Sequence, residues 1–334
     1  MDEGELRYWL VRTTGDPGLR VTGLRRLLGG AIQQNWALDV TLRGEKQAWV
    51  LRTDAPAVLA VSHSRAEEFA LLRAAAAAGV TVPRPLYLCR DIAVIGHPFF
   101  IMTRVEGVAA PHRVVRDFAD QAGRDATVTS LGRELARIHG IRPPQADLGF
   151  LGSPPADPGL AAIAALRERL DAAGAPRPVL EWGLRALERN VPPPLPAVLC
   201  HNDFRTGNIM LAGPDVAAVL DWEFAGWGDP HADLGWFCAK CWRFGNLAQE
   251  AGGIGARAAF HAGYEAEAGS RIDTARLPWW ELLATIRWAV IAADQAARHL
   301  SGQERSLELA LTGHIVPELE WDILAQVDRM PGRP

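Results

Sequence analysis

The 334-residue chain is poor in lysine: Lys46 and Lys240 are the only lysines among its 35 basic residues. Any chemistry that needs a lysine therefore has two candidates. Cysteine is also scarce, at four residues, Cys89, Cys200, Cys238 and Cys241. A secreted disulfide scaffold would be smaller and denser in cysteine, so a reducing compartment is expected. No block of five Lys or Arg occurs, which argues against a nucleic-acid footprint or a polybasic membrane patch. No uninterrupted apolar stretch reaches the roughly 18 residues that a spanning helix needs. The most membrane-like run, Trp279 to Ala293, carries Glu281 and Arg287. The opening Met1-Asp2-Glu3-Gly4-Glu5 is acidic where a signal peptide would be basic, and no apolar segment follows it. These absences lead us to expect a soluble, cytoplasmic protein with neither nucleic acid nor membrane as partner.

What is present suits a folded globular chain: 49% hydrophobic residues, 22% charged, and a net charge of −4. Up to about residue 105 the chain reads as β-rich. Gly18–Leu27 and Asn35–Leu42 alternate as strands, and Asn35–Arg52 reads as a hairpin turning at Arg43-Gly44-Glu45-Lys46. Ser64-x-x-Glu67 is a capping box that opens a helix through Ala78. Pro85–Cys89 and Phe99–Val105 are further strands. Beyond that point helices dominate, at Thr127–His139, Gly159–Ala172 and Val179–Glu188, with short apolar strands at Val198–Cys200 and Val216–Leu220. After the helix start at Asp229-Pro230 the chain reads as nearly all helical. Segregated elements of this kind predict an α+β fold or two lobes.

The chemistry concentrates in His201-Asn202-Asp203-Phe204-Arg205-Thr206-Gly207-Asn208, which leaves the apolar strand ending at Cys200. Thirteen residues after Asn208 a second apolar strand ends at Asp221-Trp222-Glu223. Two strand ends, each delivering a carboxylate, suit a divalent cation with oxygen ligands. Mg²⁺ prefers one or two carboxylates together with waters and substrate phosphates. Asn208 and Asp221 are its candidate ligands, and Asp203 remains as an acceptor for an incoming hydroxyl. Cys238-x-x-Cys241 is a single pair without a partner pair at zinc spacing and reads as two cysteines within a helix. Nine of the twelve tryptophans lie from Trp182 onward. Trp279, Trp280 and Trp288 share one helix, as core residues or as the wall of an acceptor pocket. His261, Tyr264 and Glu265 carry the same two readings.

His201-x-Asp203-x-x-x-x-Asn208 followed by Leu220-Asp221-Trp222-Glu223 resembles the aminoglycoside phosphotransferase and choline kinase superfamily, which has the two-lobed protein-kinase-like fold. Val50-Leu51-Arg52, Glu68-Phe69, Pro98-Phe99-Phe100-Ile101-Met102, Asp203-Phe204-Arg205 and Asp221-Trp222-Glu223 through Asp233-Leu234 look like a bacterial branch of it. That branch is related to the kinase-like domains fused to some acyl-CoA dehydrogenases.

The resemblance implies an α+β fold with a small β-rich nucleotide-binding lobe over 1–105 and a larger helical catalytic and acceptor-binding lobe over 106–334. It implies ATP or GTP with Mg²⁺, and γ-phosphoryl transfer to the hydroxyl of a small molecule. Asp203 would orient or deprotonate that hydroxyl, and Asn208 and Asp221 would hold the metal. His201 would pack the loop rather than act as a base, Asp233 would brace it, and Asp229 would cap a helix. Thr103 and Val105 would face adenine from a hinge, and Gly29-Gly30 through Asn35 would cover the phosphates, although no G-x-G-x-x-G is present. Arg52 stands where the family carries lysine, with Glu68 as its expected partner because Glu67 suits the capping box. Asn202 stands where the family carries glycine. A non-catalytic nucleotide-binding module, and a hydroxyacyl thioester in place of an aminoglycoside as acceptor, are the alternatives.

Overall fold

The computed structural model describes residues 2–27, 33–54, 62–118 and 120–330. Helix α1 (Glu3–Thr14) starts where Asp2 accepts the Gly4 N–H and stops at left-handed Gly15. Strands β1 (Arg20–Arg26), β2 (Gln33–Leu42) and β3 (Glu45–Asp54) follow. Arg43 and Gly44 join β2 to β3 at φ 52° and 85°, the two-residue turn whose twist matches the strands it connects. Lys46, expected in the turn, therefore lies in β3 opposite Thr41. Helix α2 (Arg65–Ala77) begins at the Ser64/Glu67 capping box. Strands β4 (Pro85–Cys89) and β5 (Phe99–Thr103) complete an antiparallel sheet ordered β1-β2-β3-β5-β4. β5 stops at Thr103, short of Val105, because its β3 partner pairing ends at Trp49.

The helical part contains α3 (Pro111–Val114), α4 (Gln121–His139), α5 (Pro158–Ala173) and α6 (Pro178–Arg189). Then come β6 (Val198–Cys200), the hairpin β7 (Ile209–Ala212) and β8 (Asp215–Val219), and β9 (Gly226–Gly228). Helices α7 (Pro230–Cys238), α8 (Arg257–Ala268), α9 (Leu277–Leu300), α10 (Leu307–Gly313) and α11 (Val316–Val327) close the chain. β7 and β9 go beyond the strands expected from sequence; at four and three residues, neither carries an alternation that a pattern can show.

The region after Asp229-Pro230 is less helical than expected. α7 ends at Cys238, Cys241 sits in a 3₁₀ turn, and the chain stays irregular up to α8, with Gly245, Gly252 and Gly253 at positive φ. The Cys238-x-x-Cys241 pair thus does not share a helix.

Contacts divide the chain into two compact units. The first comprises Met1–Val108, Pro144–Gly152 and Asn208–Ala225; the second takes Ala109–Pro143, Ser153–Gly207 and Gly226–Pro334. The β7–β8 hairpin joins the first unit through Val108 N–H to Leu211 O (2.8 Å) and Val219 N–H to Thr81 O (2.8 Å). In this unit Leu6 and Leu10 of α1 bury against Leu38, Leu51, Phe99 and Ile101 of the sheet. In the second unit, α5, α6, α9 and α11 pack around Leu184, Leu187, Trp280, Ile286 and Ile323. α4 and α8 approach backbone to backbone. A side chain at Gly132 would strike the Phe260 carbonyl, and one at Gly263 the Thr129 carbonyl. No described helix is long and apolar enough to cross a membrane.

Candidate active site

In the first unit, the end of β3 carries Arg52, which is 5% exposed. Its Nε meets Glu68 of α2 at 2.8 Å, and its terminal nitrogen donates to Asp221 Oδ1 at 2.8 Å. Glu68 also accepts from Arg65, which in turn pairs with Asp54 at 2.9 Å. Glu67 instead closes the capping box. Burial alone would lower the Arg52 pKa, but Glu68, Asp221 and Glu223 outweigh it and hold the guanidinium above its ordinary value. The same crowding, burial first and the carboxylates of Asp221 and Glu68 after it, pushes Glu223 up to about 7. Its position next to Asp221 was legible in the sequence; its burial was not.

Asn208 and Asp221 stand at one end of the β7–β8 hairpin, joined by the Leu220 N–H bond to Asn208 O at 2.8 Å. Asn208 is 3% exposed, whereas the Asp221 side chain is 39% exposed. Asp221 adopts φ 58°, a left-handed backbone that only Gly, Asn and Asp visit readily. An amide and a carboxylate at one strand end form a hard-oxygen donor set, which fits Mg²⁺. His63 makes two bonds, its backbone N–H to Glu223 O (2.9 Å) and its ring Nε2 to Ala225 O (2.7 Å), which hold the chain beyond Asp221 to the entrance of α2.

Thr103 and Val105 lie half-buried at and beyond the end of β5. The Thr103 N–H is donated to Arg84 O at 2.9 Å, so this group, expected to face adenine, is committed within the protein. Gly30 lies outside the described residues.

In the second unit, β6 is fully buried and pairs with β9, so the chain leaves Cys200 from a fixed point. Asp233, in the first turn of α7 and 1% exposed, clamps the loop that follows. One of its oxygens accepts the His201 N–H (2.6 Å), and the other accepts the Asn202 N–H (2.8 Å). His139 of α4 stands behind it at 3.2 Å, with its other ring nitrogen 2.9 Å from the Tyr264 hydroxyl. Burial would raise the Asp233 pKa, but the bonds from His139 and His201 hold it below the usual carboxylate range. Asn202 takes φ 61°. The backbone there does require the left-handed region, and Asn satisfies that requirement where the resemblance implies glycine.

Asp203 emerges from this clamp with its side chain 14% exposed. Its Oδ1 accepts from Trp236 Nε1 (3.1 Å) and from Arg205 Nε (3.1 Å). The Arg205 guanidinium lies over the Trp242 ring at 4.8 Å. His201 is fully buried, and its Nδ1 accepts the Asp203 N–H at 3.3 Å. Trp236 and Trp242 were not singled out from sequence, and the signal for them was weak: their indoles reach Asp203 and Arg205 only through the fold. Trp279 and Trp280, candidates for a pocket wall, are core residues, with Trp279 Nε1 bonded to Leu187 O. Asp229 caps α7 and pairs with Arg276 at 2.8 Å. Burial pushes the Cys238 thiol up to about 12 and Cys241 higher still, so neither supplies a thiolate near neutral pH.

Tyr264 is spent on His139, and Glu265 on the Ile272 N–H. His261 on α8 is half-buried, and burial, reinforced by Arg257, pushes its pKa down to about 4. A histidine with a depressed folded-state pKa takes up its proton more readily once unfolded. Its contribution is therefore complete above the ordinary value of 6.5 and is lost as pH falls toward 4. His261→Gln is expected to flatten this slope by about 1–2 kcal/mol after discounting for solvent screening. Urea unfolding of both proteins across that window checks it; parallel slopes would remove His261 from the acid transition.

The sequence shares 28% identity over 196 residues with acyl-CoA dehydrogenase family member 10 of Mus musculus, 58% of this chain and 18% of that protein. It shares 33% over 201 residues with acyl-CoA dehydrogenase family member 11 of Gallus gallus, 56% and 24% respectively. The match to a homoserine kinase of Methylocella silvestris is 29% over 216 residues, 60% of this chain and 62% of that one. The matches thus span only about a fifth to a quarter of the length of these two dehydrogenase-family relatives. Among solved structures, a candidate aminoglycoside phosphotransferase of Ralstonia eutropha JMP134 superposes with TM-score 0.76 at 24% identity, covering 97% of this chain and 98% of that one. The aminoglycoside phosphotransferase APH(4)-Ia, in ternary complex with AMP-PNP and hygromycin B, superposes with TM-score 0.62 at 16% identity, covering 98% and 100%. These structural likenesses show the fold, which is protein-kinase-like. Residues 23–272 match the model of the APH phosphotransferase enzyme family, and the chain belongs to that family.

Proposed function

We propose that this protein transfers the γ-phosphoryl group of ATP, or of GTP, to the hydroxyl of a small molecule. The observation that carries the reading is the presentation of Asp203. A loop clamped by Asp233 fixes its backbone, and Trp236 and Arg205 fix its carboxylate. Five residues further along the chain, Asn208 begins the oxygen donor set that Asp221 completes.

In this reading Asp203 accepts the proton of the acceptor hydroxyl. That oxygen bonds to the γ-phosphorus, and the β–γ bridging oxygen leaves on the nucleoside diphosphate. Arg52 turns its guanidinium to the phosphates, held in place by Glu68. Asn208 and Asp221 hold Mg²⁺, which when bound neutralises phosphate charge. Residues 1–105 supply nucleotide binding, and 106–334 supply Asp203 and the acceptor site. The homoserine named for one relative and the hygromycin B bound to one neighbour support a small, hydroxyl-bearing acceptor.

The test combines ADP release with ATP titration. Wild type should release ADP in a manner that depends on Mg²⁺ and on an acceptor. Arg52→Ala should weaken ATP binding roughly 10- to 100-fold, the worth of a charge-assisted hydrogen bond to phosphate, and should also slow transfer. Arg52→Lys should recover part of both, because the charge returns without the bidentate geometry. Unaltered ATP affinity in Arg52→Ala, with a lowered melting temperature, would make Arg52 structural. Nucleotide binding with no ADP release for any acceptor would identify a non-catalytic module.

A further inference from the structure

Arg287 of α9 lies over the Trp236 ring, its guanidinium carbon 4.5 Å from the ring centroid. Trp236 donates its Nε1–H to Asp203. One indole therefore carries the candidate base at its edge and a cation on its face. Arg287 is half-buried, and among the described residues it makes no ion pair and donates no hydrogen bond.

The neighbouring cations behave differently. Arg169 is paired with Asp294, Arg257 with Glu281, and Lys240 with Asp322. The carboxylates whose fields reach Arg287 are Asp203 and Asp233, and both are engaged elsewhere. Asp203 is held by Arg205 and Trp236, and Asp233 by two loop N–H groups and His139. Burial pulls the Arg287 pKa down, against the pull of those two carboxylates. Arginine nonetheless stays charged at any physiological pH.

No Arg287 nitrogen is among the fully buried unpartnered atoms of the described residues, so its donors are left to solvent, and a half-buried guanidinium gives up part of its hydration that stacking on an indole does not replace. A methionine or leucine would pack on Trp236 without that cost. The unused donors belong to a guanidinium over the face of the indole whose edge binds the candidate base, and the other arginine beside that base, Arg205, is already paired with it. A polycationic acceptor would meet a like charge at Arg287. An oxyanion would find bidentate donors.

We propose that the acceptor carries an oxyanion, a carboxylate or a phosphate, which Arg287 binds while the acceptor hydroxyl lies against Asp203. The hydroxyl and the anionic group are then separated by about the width of an indole, as in a short hydroxy acid or an alcohol phosphate. This rests on the phosphotransfer reading above and assigns to that site the chemistry of its substrate.

ADP release with Mg-ATP is measured on matched compounds: glycerate and its methyl ester, 3-hydroxybutyrate and its methyl ester, glycerol 3-phosphate and glycerol, with glucosamine as the cationic member. The anionic member of a pair should be favoured roughly 10- to 100-fold in kcat/KM, the worth of a charge-assisted bond. Which pair responds tells carboxylate from phosphate. Arg287→Met should raise KM for the anionic member by the same factor and erase the preference over its neutral partner. Arg287→Lys should restore part of it. ATP titration of each variant verifies that the fold and nucleotide side are intact, so a lost preference is read only on nucleotide-binding protein. Equal turnover of anionic and neutral members, preference for glucosamine, or an Arg287→Met variant that keeps the preference would overturn the proposal. So would Mg-ATP binding with no anionic compound phosphorylated. Failure to bind Mg-ATP at all would instead overturn the phosphotransfer reading on which the proposal rests.

Discussion

Asp203→Ala is expected to lower turnover roughly 10²- to 10⁴-fold, the range that a positioned general base supplies. The effect should fall on kcat, with ATP affinity close to wild type, because Asp203 serves the hydroxyl acceptor and not the nucleotide. Removing the carboxylate also frees Trp236 Nε1 and Arg205, both of which bond to Asp203 Oδ1. Asp203→Asn separates these roles: its amide oxygen still accepts from Trp236, while the charge and the basicity are gone. If Asp203→Asn is as slow as Asp203→Ala, the proton-accepting function dominates; if it is nearly as fast as wild type, the side chain only orders the indole and the arginine. Steady-state kinetics on the two variants, with ATP titration as control, decide this. Near wild-type turnover in both would remove Asp203 from catalysis.

The second large effect is expected at Asp221. Its carboxylate is the more exposed member of the oxygen pair with Asn208, and it is bridged to Arg52 at 2.8 Å. Asp221→Asn should abolish the Mg²⁺ dependence of nucleotide binding, a loss on the order of 100-fold in affinity for the metal–nucleotide complex, since a charged oxygen ligand is replaced by a neutral one. Asn is preferred to Ala because residue 221 has φ 58°, a conformation that Ala adopts only with strain. Calorimetric titration with ATP, with and without Mg²⁺, measures the change. Arg52 keeps Glu68 in the variant, so the melting temperature should move less than the affinity. An unchanged Mg²⁺ dependence would place the metal elsewhere.

Several features of the site could be read directly from residue order. Glu68 rather than Glu67 meets Arg52 because the Ser64 capping box commits Glu67, a local rule spanning four residues. At position 202 the sequence offered only an Asn where the resemblance implies Gly, and the structure supplies the reason, a backbone at φ 61°. The Arg43-Gly44 turn, the start of α7 at Asp229-Pro230 and the buried strand before His201 follow from turn, cap and periodicity rules acting over a few residues. Other features had no such signal. Three-residue β9 is defined only by its pairing with β6, and the irregular stretch before α8 depends on glycines whose φ the sequence leaves open.

By itself the sequence determined the α+β segregation, the loop bearing Asp203, and the strand end bearing Asp221. Each is specified by hydrophobic pattern and local capping chemistry within a dozen or so neighbouring residues. Tertiary structure alone decided which tryptophans belong to the core and which to the site. Trp279 and Trp280 share a helix with Arg287, yet they turn into the interior, while Trp236 and Trp242 from another segment meet Asp203 and Arg205. It also decided that His139, 94 residues away, backs the bracing Asp233, and that Arg287 has no ion-pair partner among the described residues. Those outcomes depend on contacts between distant segments, where burial and the pairing of charges select among side chains that look equivalent in the chain.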